Sequence, residues 1–264
     1  MSSFTVYALA VGFSATILGL TLQMIGHYAF SRHRLDDTKE LAGVVGLRVS
    51  AIFGIAVGLI FAASAAHLMQ AKRNLQEEVR LIGTLQFLAA ETPTLKNRGT
   101  IQQDLSNFAA RTVAELETPG GPHSYKRATS HLLIKVCRDM ALTDEDNPDI
   151  RWTKTEFQRS CSKLIDLRGT KQVGAREGLV SKPFWVFFII CFGFLAFLFG
   201  VFALRPLNII FACLFYFTTG IAGIIIFAAG NPYKEPGRIS TEPMKLLLPK
   251  KPSAPEADED ADGG

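Results

Sequence analysis

The sequence predicts an all-α membrane protein with four transmembrane helices and a helical soluble segment between the second and the third. Three observations lead there. Four stretches, about Phe4 to Phe30, Val49 to Met69, Pro183 to Leu204 and Leu207 to Gly230, are nearly free of charge. Each has the ~20 apolar residues needed to cross a hydrocarbon core of roughly 30 Å. The third stretch carries Phe184, Phe187, Phe188, Phe192, Phe194, Phe197, Phe199 and Phe202 on every side of a helix. Such a helix lies in lipid or in a large core, and this distribution of residues leaves no large core. Between the second and third stretches the apolar residues follow helical spacing, and no strand alternation appears.

The first span has no basic leading segment, is long for a signal peptide and lacks a small-x-small cleavage site before Arg32, so it is read as a retained helix. The second does not stop at Met69. Ala71 to Ala90 contains no proline, and Leu75, Val79, Ile82, Leu85 and Phe87 to Ala89 suit an amphipathic continuation ended by Pro93. Thr100 with Gln103 makes a capping-box signal for a helix whose core face is Ile101, Leu105, Phe108 and Leu116. Pro119-Gly-Gly-Pro122 breaks the chain. A further helix places Ala128, Leu132, Val136 and Met140 on one face. Thr153 with Glu156 signals the last one, carrying Phe157, Cys161 and Leu164 and ending at Gly169.

The organisation expected is a first hairpin over residues 1–70, a soluble helical segment over 71–182, a second hairpin over 183–230 and a tail over 231–264. From about residue 250 the tail is acidic and without apolar periodicity, a composition that stays disordered.

Lys and Arg beside spans set orientation. Arg32, Arg34, Lys39, Arg48 and Arg205 lie on one side of the membrane, five in all, against twelve on the other. The larger group includes Lys72, Arg73, Arg168, Lys171, Lys182, Lys234 and Lys245. The count favours a cytoplasmic soluble segment. The localisation expected is a cell membrane crossed several times, the bacterial inner membrane. The first span argues the other way, because no positive residue precedes it and Arg32 and Arg34 follow it directly. Cys137 and Cys161 lie twelve residues on either side of Asp149, in the turn-forming stretch Thr143 to Asp149. They are a candidate disulfide if the segment is extracytoplasmic, and two reduced buried thiols otherwise.

Small residues recur at close-packing spacing. Gly54, Gly58, Ala62 and Ala66 form a ladder in the second span, Gly12, Gly19 and Gly26 in the first, and Gly193 and Gly200 in the third. Such seams pack helices within a chain or between subunits. Gly54, Gly58, Ala62, Ser64 and His67 are therefore helix-packing or pore-lining candidates. No Asp or Glu lies deep in a span, which excludes a carboxylate proton relay. Glu77, Glu78 and Arg80 read as a solvated helix face. No Walker loop, His-Glu-x-x-His, Cys-x-x-Cys or Gly-x-Ser-x-Gly is present. The reading is therefore not an enzyme, with no catalytic, cofactor-binding or metal-binding residues and no cofactor. The net charge of +4 is divided among loops, which suits membrane flanks and not nucleic acid.

Several stretches together resemble one family. They are Phe61 to Ala66 running into Gln76-Glu-Glu-Val-Arg-Leu-Ile-Gly83, Asp166-Leu-Arg168, Pro183-Phe-Trp185, and Asn231-Pro-Tyr-Lys-Glu-Pro-Gly-Arg-Ile-Ser240 with Pro243. They are similar to the bestrophin-like family of membrane proteins over nearly the whole chain except the acidic tail, with Glu78, Pro232 and Gly237 at motif positions. Where the family pattern has an acid before its aromatic turn, this chain has Gly230 and Asn231. The resemblance implies distant similarity to bestrophins, which are pentameric anion channels with four membrane helices and a cytoplasmic helical domain. The span order is also that of the stator-type proton channels of flagellar motors, whose signatures are missing. The functional expectation is an oligomeric anion channel of bestrophin-like type. The alternative is a non-conducting scaffold or sensor whose soluble helical segment binds a partner protein. The partners expected are the lipid bilayer, further copies of the chain and that protein, with no nucleic acid.

Overall fold

The computed structural model describes residues 3–31, 36–91, 98–118, 127–141, 148–176, 180, 182–202 and 204–248. Its helices are α1 (Ser3–Ser31), α2 (Asp36–Glu91), α3 (Arg98–Glu117), α4 (Arg127–Ala141), α5 (Pro148–Arg176), α6 (Lys182–Phe199), α7 (Pro206–Gly230) and α8 (Glu242–Lys245). No strand occurs among the described residues. Helices α1, α2, α6 and α7 each have the length and hydropathy to cross a membrane.

The chain forms two compact units. The first contains Met1–Arg73 and Lys171–Ile239. Here α1 packs along both α7 and α6. Phe192, Ala196, Ala212 and Tyr216 form one apolar cluster, with the Phe192 and Tyr216 rings edge to face at 5.7 Å. Phe53 of α2 meets Phe188 and Leu195 of α6 in a second. Arg205 holds extended backbone and Pro206 starts α7, where its missing N–H leaves no helical bond unmade.

The second unit contains Asn74–Thr118, Ser124–Thr170 and the stretch from Ser240. Its core is Leu75, Ile82 and Leu85 of α2, Ile101, Leu105 and Phe108 of α3, Leu133 and Val136 of α4, and Phe157 and Leu164 of α5. Burying each such side chain contributes about 1.5–3 kcal/mol. Thr241 donates to Glu117 Oε1 over 2.8 Å, and Lys245 Nζ pairs with the same oxygen at 2.8 Å. These contacts fasten the segment after the last span onto α3.

The helices depart from the sequence expectation at their ends. Helix α2 begins at Asp36 and is 56 residues long, which gives about 84 Å at ~1.5 Å per residue. Thr100 lies inside α3, which starts at Arg98, and Thr153 lies inside α5, which starts at Pro148, so neither is an N-cap. A Thr with Glu or Gln three residues on also fits any helix interior, and Pro148 supplies an independent start. Helix α5 runs through Gly169 to Arg176. On α4, Leu133 is buried in place of Leu132, and on α2 Phe87 is exposed. The expected break at 119–122, the stretch 143–147, the side chains of Ala128 and Met140, and the acidic tail fall outside the described residues.

Candidate functional site

The glycine ladders have different fates. In the first unit α1 is pressed against its neighbours through its glycines. A Cβ on Gly12 would sit 2.7 Å from the Phe217 ring, one on Gly19 would overlap Tyr216, and one on Gly26 would overlap the Phe197 carbonyl. Gly200 is closed by the α1 backbone from Gln23 to His27. These positions are intrachain seams, where small residues bring backbones together. The α2 ladder is open: nothing lies within 4 Å of a Cβ built on Gly54 or Gly58, and Ala62 and Ala66 are exposed.

Most polar side chains in the spans are satisfied within the protein. Thr16 donates to Gly12 O at 2.9 Å, Ser50 to Leu47 O at 2.9 Å and Thr218 to Leu214 O at 2.8 Å. Tyr216 donates to Gln23 Oε1 at 3.2 Å, and His27 Nδ1 lies 3.0 Å from Gly200 O. Two groups differ. The Ser64 hydroxyl, on a side chain of zero exposure, and His67 Nδ1 are buried without a hydrogen-bond partner in the chain. They stand one turn apart on α2, the spacing at which side chains share a helix face. A Cβ on Gly230 would lie 3.5 Å from Ser64 Oγ, which puts that hydroxyl against the end of α7.

In the second unit, Arg168 of α5 donates through Nη2 to Glu115 Oε2 at 2.9 Å and through Nη1 to Thr112 Oγ1 at 3.0 Å, both on α3. Glu78 of α2 faces the same guanidinium at 3.8 Å, and Phe108 stacks beneath it at 4.9 Å. Thr129 of α4 donates to Glu115 Oε1. Arg168, Glu115 and Glu78 are at most 5 % exposed. One buried charge cluster therefore ties four helices, a geometry in which each ion depends on its partners. The sequence reading of Glu77, Glu78 and Arg80 as one solvated face holds for Glu77 and Arg80, which pair at 2.6 Å on the surface. Glu78 points inward. Glu115, Thr112 and Thr129 carried no signal in the sequence beyond sitting at helical spacing. At the surface, Asp104 accepts from Lys135 at 2.8 Å, and that hydrogen bond raises the lysine pKa above its ordinary value.

Cys137 of α4 and Cys161 of α5 are joined in a disulfide with Cα atoms 6.1 Å apart. The motif residues Pro232 and Gly237 form a tight turn on the end of α7: Ile239 N donates to Pro232 O at 2.9 Å and Gly237 N to Lys234 O at 2.8 Å. A Cβ on Gly237 would overlap the Ala228 carbonyl, so only glycine fits there. Among the described residues, no three His, Cys, Asp or Glu side chains converge as a metal site would require.

A family model described as the bestrophin-like domain matches residues 12–244. Comparison with curated proteins and with solved structures gave no match. The match takes in α1 from Gly12 onward, the other three spans, the Arg168 charge cluster, the disulfide and the turn at Gly237, and the chain belongs to the bestrophin-like family.

Proposed function

We propose that copies of this chain associate in the membrane through the open face of α2 and that the assembly passes small anions. The observation carrying this reading is the contrast between α2 and the other spans. Only 6 % of its most apolar window is buried by the chain, against 22 % for α1 and α6 and 33 % for α7. The face left open holds Gly54, Gly58, Ala62 and Ala66, residues suited to close helix contact more than to a lipid boundary. Ser64 and His67 lie at the end of the same span and supply its buried, unpartnered polar atoms. In this reading the chain is not an enzyme. The test is size analysis of the purified protein together with chloride efflux from proteoliposomes. A stable homo-oligomer with flux supports the proposal, and a monomer without flux overturns it.

A second reading, a non-conducting scaffold or sensor, draws support from the hydroxyls. Thr16, Ser50 and Thr218 bond back to their own helices, which occupies hydroxyls that a polar path would use. This reading makes the second unit the working part and predicts a specific co-purifying protein in place of flux.

The disulfide bears on orientation. The count of basic residues favours a cytoplasmic second unit, whereas a Cys137–Cys161 bond persists in an oxidising compartment. We propose that the second unit lies outside the cytoplasm and that the loops holding Arg32, Arg34 and Arg205 lie inside it. Labelling by a membrane-impermeant maleimide in intact cells, appearing only after reduction, supports this orientation. Labelling that requires the membrane to be broken overturns it.

A further inference from the structure

In the first unit α1, α6 and α7 do not close on one another completely. They leave a trough of about 450 Å³, whose walls include Val11, Leu18, Trp185, Phe188 and Phe192. Gly220 and Gly223 of α7 are among its lining residues; a Cβ on Gly220 would meet Ala15 of α1 at 2.7 Å, and one on Gly223 would meet Phe188 at 3.4 Å. The volume is within the ~300–1,000 Å³ of ordinary ligand sites. The lining exposes essentially no polar atom, which excludes an ion, a sugar or a nucleotide as occupant.

The trough has a direction. Trp185 stands three residues into α6 and Phe227 three residues before the end of α7, and their rings are 6.2 Å apart. That end is at the membrane surface. Leu18, Phe192 and Gly220 stand near the middles of their helices, roughly 10 Å deeper at ~1.5 Å per residue. A flexible alkyl chain, apolar and able to follow an irregular wall, suits a space of this lining and depth. The mouth suits a headgroup: Trp185 is amphipathic, and the exposed Lys182 lies one turn before it at the start of α6. Aromatic and basic side chains at a span end sit at the level of the lipid phosphates.

We propose that the trough holds one acyl chain of a membrane phospholipid, with the phosphate beside Lys182 and the chain lying along Trp185, Phe188 and Phe192. The chain occupies the apolar volume left between α1, α6 and α7. The proposal is independent of whether the protein conducts.

Trp185 is a built-in reporter, since the only other tryptophan is Trp152, exposed on α5. In a Trp152→Phe background, Trp185 emission is measured in phosphatidylcholine vesicles in which an increasing share of the lipid is brominated on the upper part of its acyl chains. Strong quenching is expected. Gly223→Leu should remove most of it, because a Cβ there fits at 3.4 Å from Phe188 and a longer side chain extends into the trough. Val11→Phe fills the same space from the α1 wall and serves if the glycine variant does not fold. Quenching equal in the parent and in both filled variants, or no quenching in the parent, overturns the proposal. The second of these results is also what a protein surface covering the trough would give.

Discussion

Arg168 and Glu115, fifty-three residues apart in sequence, meet through Nη2 and Oε2 at 2.9 Å with each side chain 5 % exposed. Both charges have left water, so each depends on its partners. Arg168→Ala removes the guanidinium that Glu115 accepts from and Glu78 faces, and is expected to cost about 3–5 kcal/mol. Joint replacement of all three residues by apolar ones of similar volume should recover most of that loss. Denaturant unfolding of the purified variants measures both. An Arg168→Ala curve superimposed on the parent's would show that the cluster contributes nothing.

The disulfide closes a loop of 24 residues, for which chain entropy gives about 3 kcal/mol. Dithiothreitol should lower the melting temperature of the parent and leave that of the Cys137→Ser, Cys161→Ser double variant unchanged. A melting temperature insensitive to reductant in both proteins would mean that the bond does not stabilise the second unit.

Gly26 and Gly58 should respond oppositely to a single methyl group. At Gly26 the methyl meets the Phe197 backbone, and Gly26→Ala is expected to cost about 1–3 kcal/mol through overpacking. At Gly58 the methyl meets nothing within 4 Å, so Gly58→Ala should stabilise the single chain by about 0.5–1 kcal/mol through helix propensity. Gly58→Leu should break the association proposed along α2. Chemical crosslinking that yields the same oligomer for Gly58→Leu as for the parent would remove α2 from the interface.

Tyr216 and Gln23 form a hydrogen bond in apolar surroundings, both nearly without exposure. Tyr216→Phe should destabilise by about 0.6 kcal/mol and no more than ~1.7 kcal/mol, the range found for hydrogen bonds between spans. Adding Gln23→Leu should reduce the loss, since it removes the acceptor left behind. A double variant less stable than Tyr216→Phe would show that Gln23 has another task.

Asp104 and Glu117 raise the pKa values of Lys135 and Lys245 above the ordinary 10.5 by hydrogen bonding to the ammonium groups. A lysine pKa raised on folding stabilises fully below the unfolded value and loses that contribution as pH rises through the folded one. Stability should therefore decline above about pH 10.5, less steeply in Lys135→Met. Equal slopes in the two proteins would remove Lys135 from the account.

Several features were legible without coordinates because they depend on composition along one stretch of chain. The unbroken passage of the second span into a charged amphipathic helix followed from Ala71 to Ala90 lacking proline. The core positions Ile101, Leu105 and Phe108 followed from period, whereas Gly237 was marked only as a motif position of the family resemblance. The helix starts at Arg98 and Pro148 did not, because Thr100 and Thr153 imitate caps from inside the helix. The inward turn of Glu78 was hidden by its neighbours Glu77 and Arg80, since a charge triplet on a helix presents more than one face.

The sequence alone determined which four helices are long and apolar enough to cross a membrane, because spanning hydrocarbon requires about 20 consecutive apolar residues and four helices among the described residues meet that condition. Only the tertiary structure decided that Gly26 is closed while Gly58 is open, that Glu78 joins Arg168, and that Cys137 finds Cys161. Length and hydropathy are properties of one segment, summed over its residues. Which faces meet is a property of pairs of segments far apart in sequence, fixed by packing that no single segment encodes.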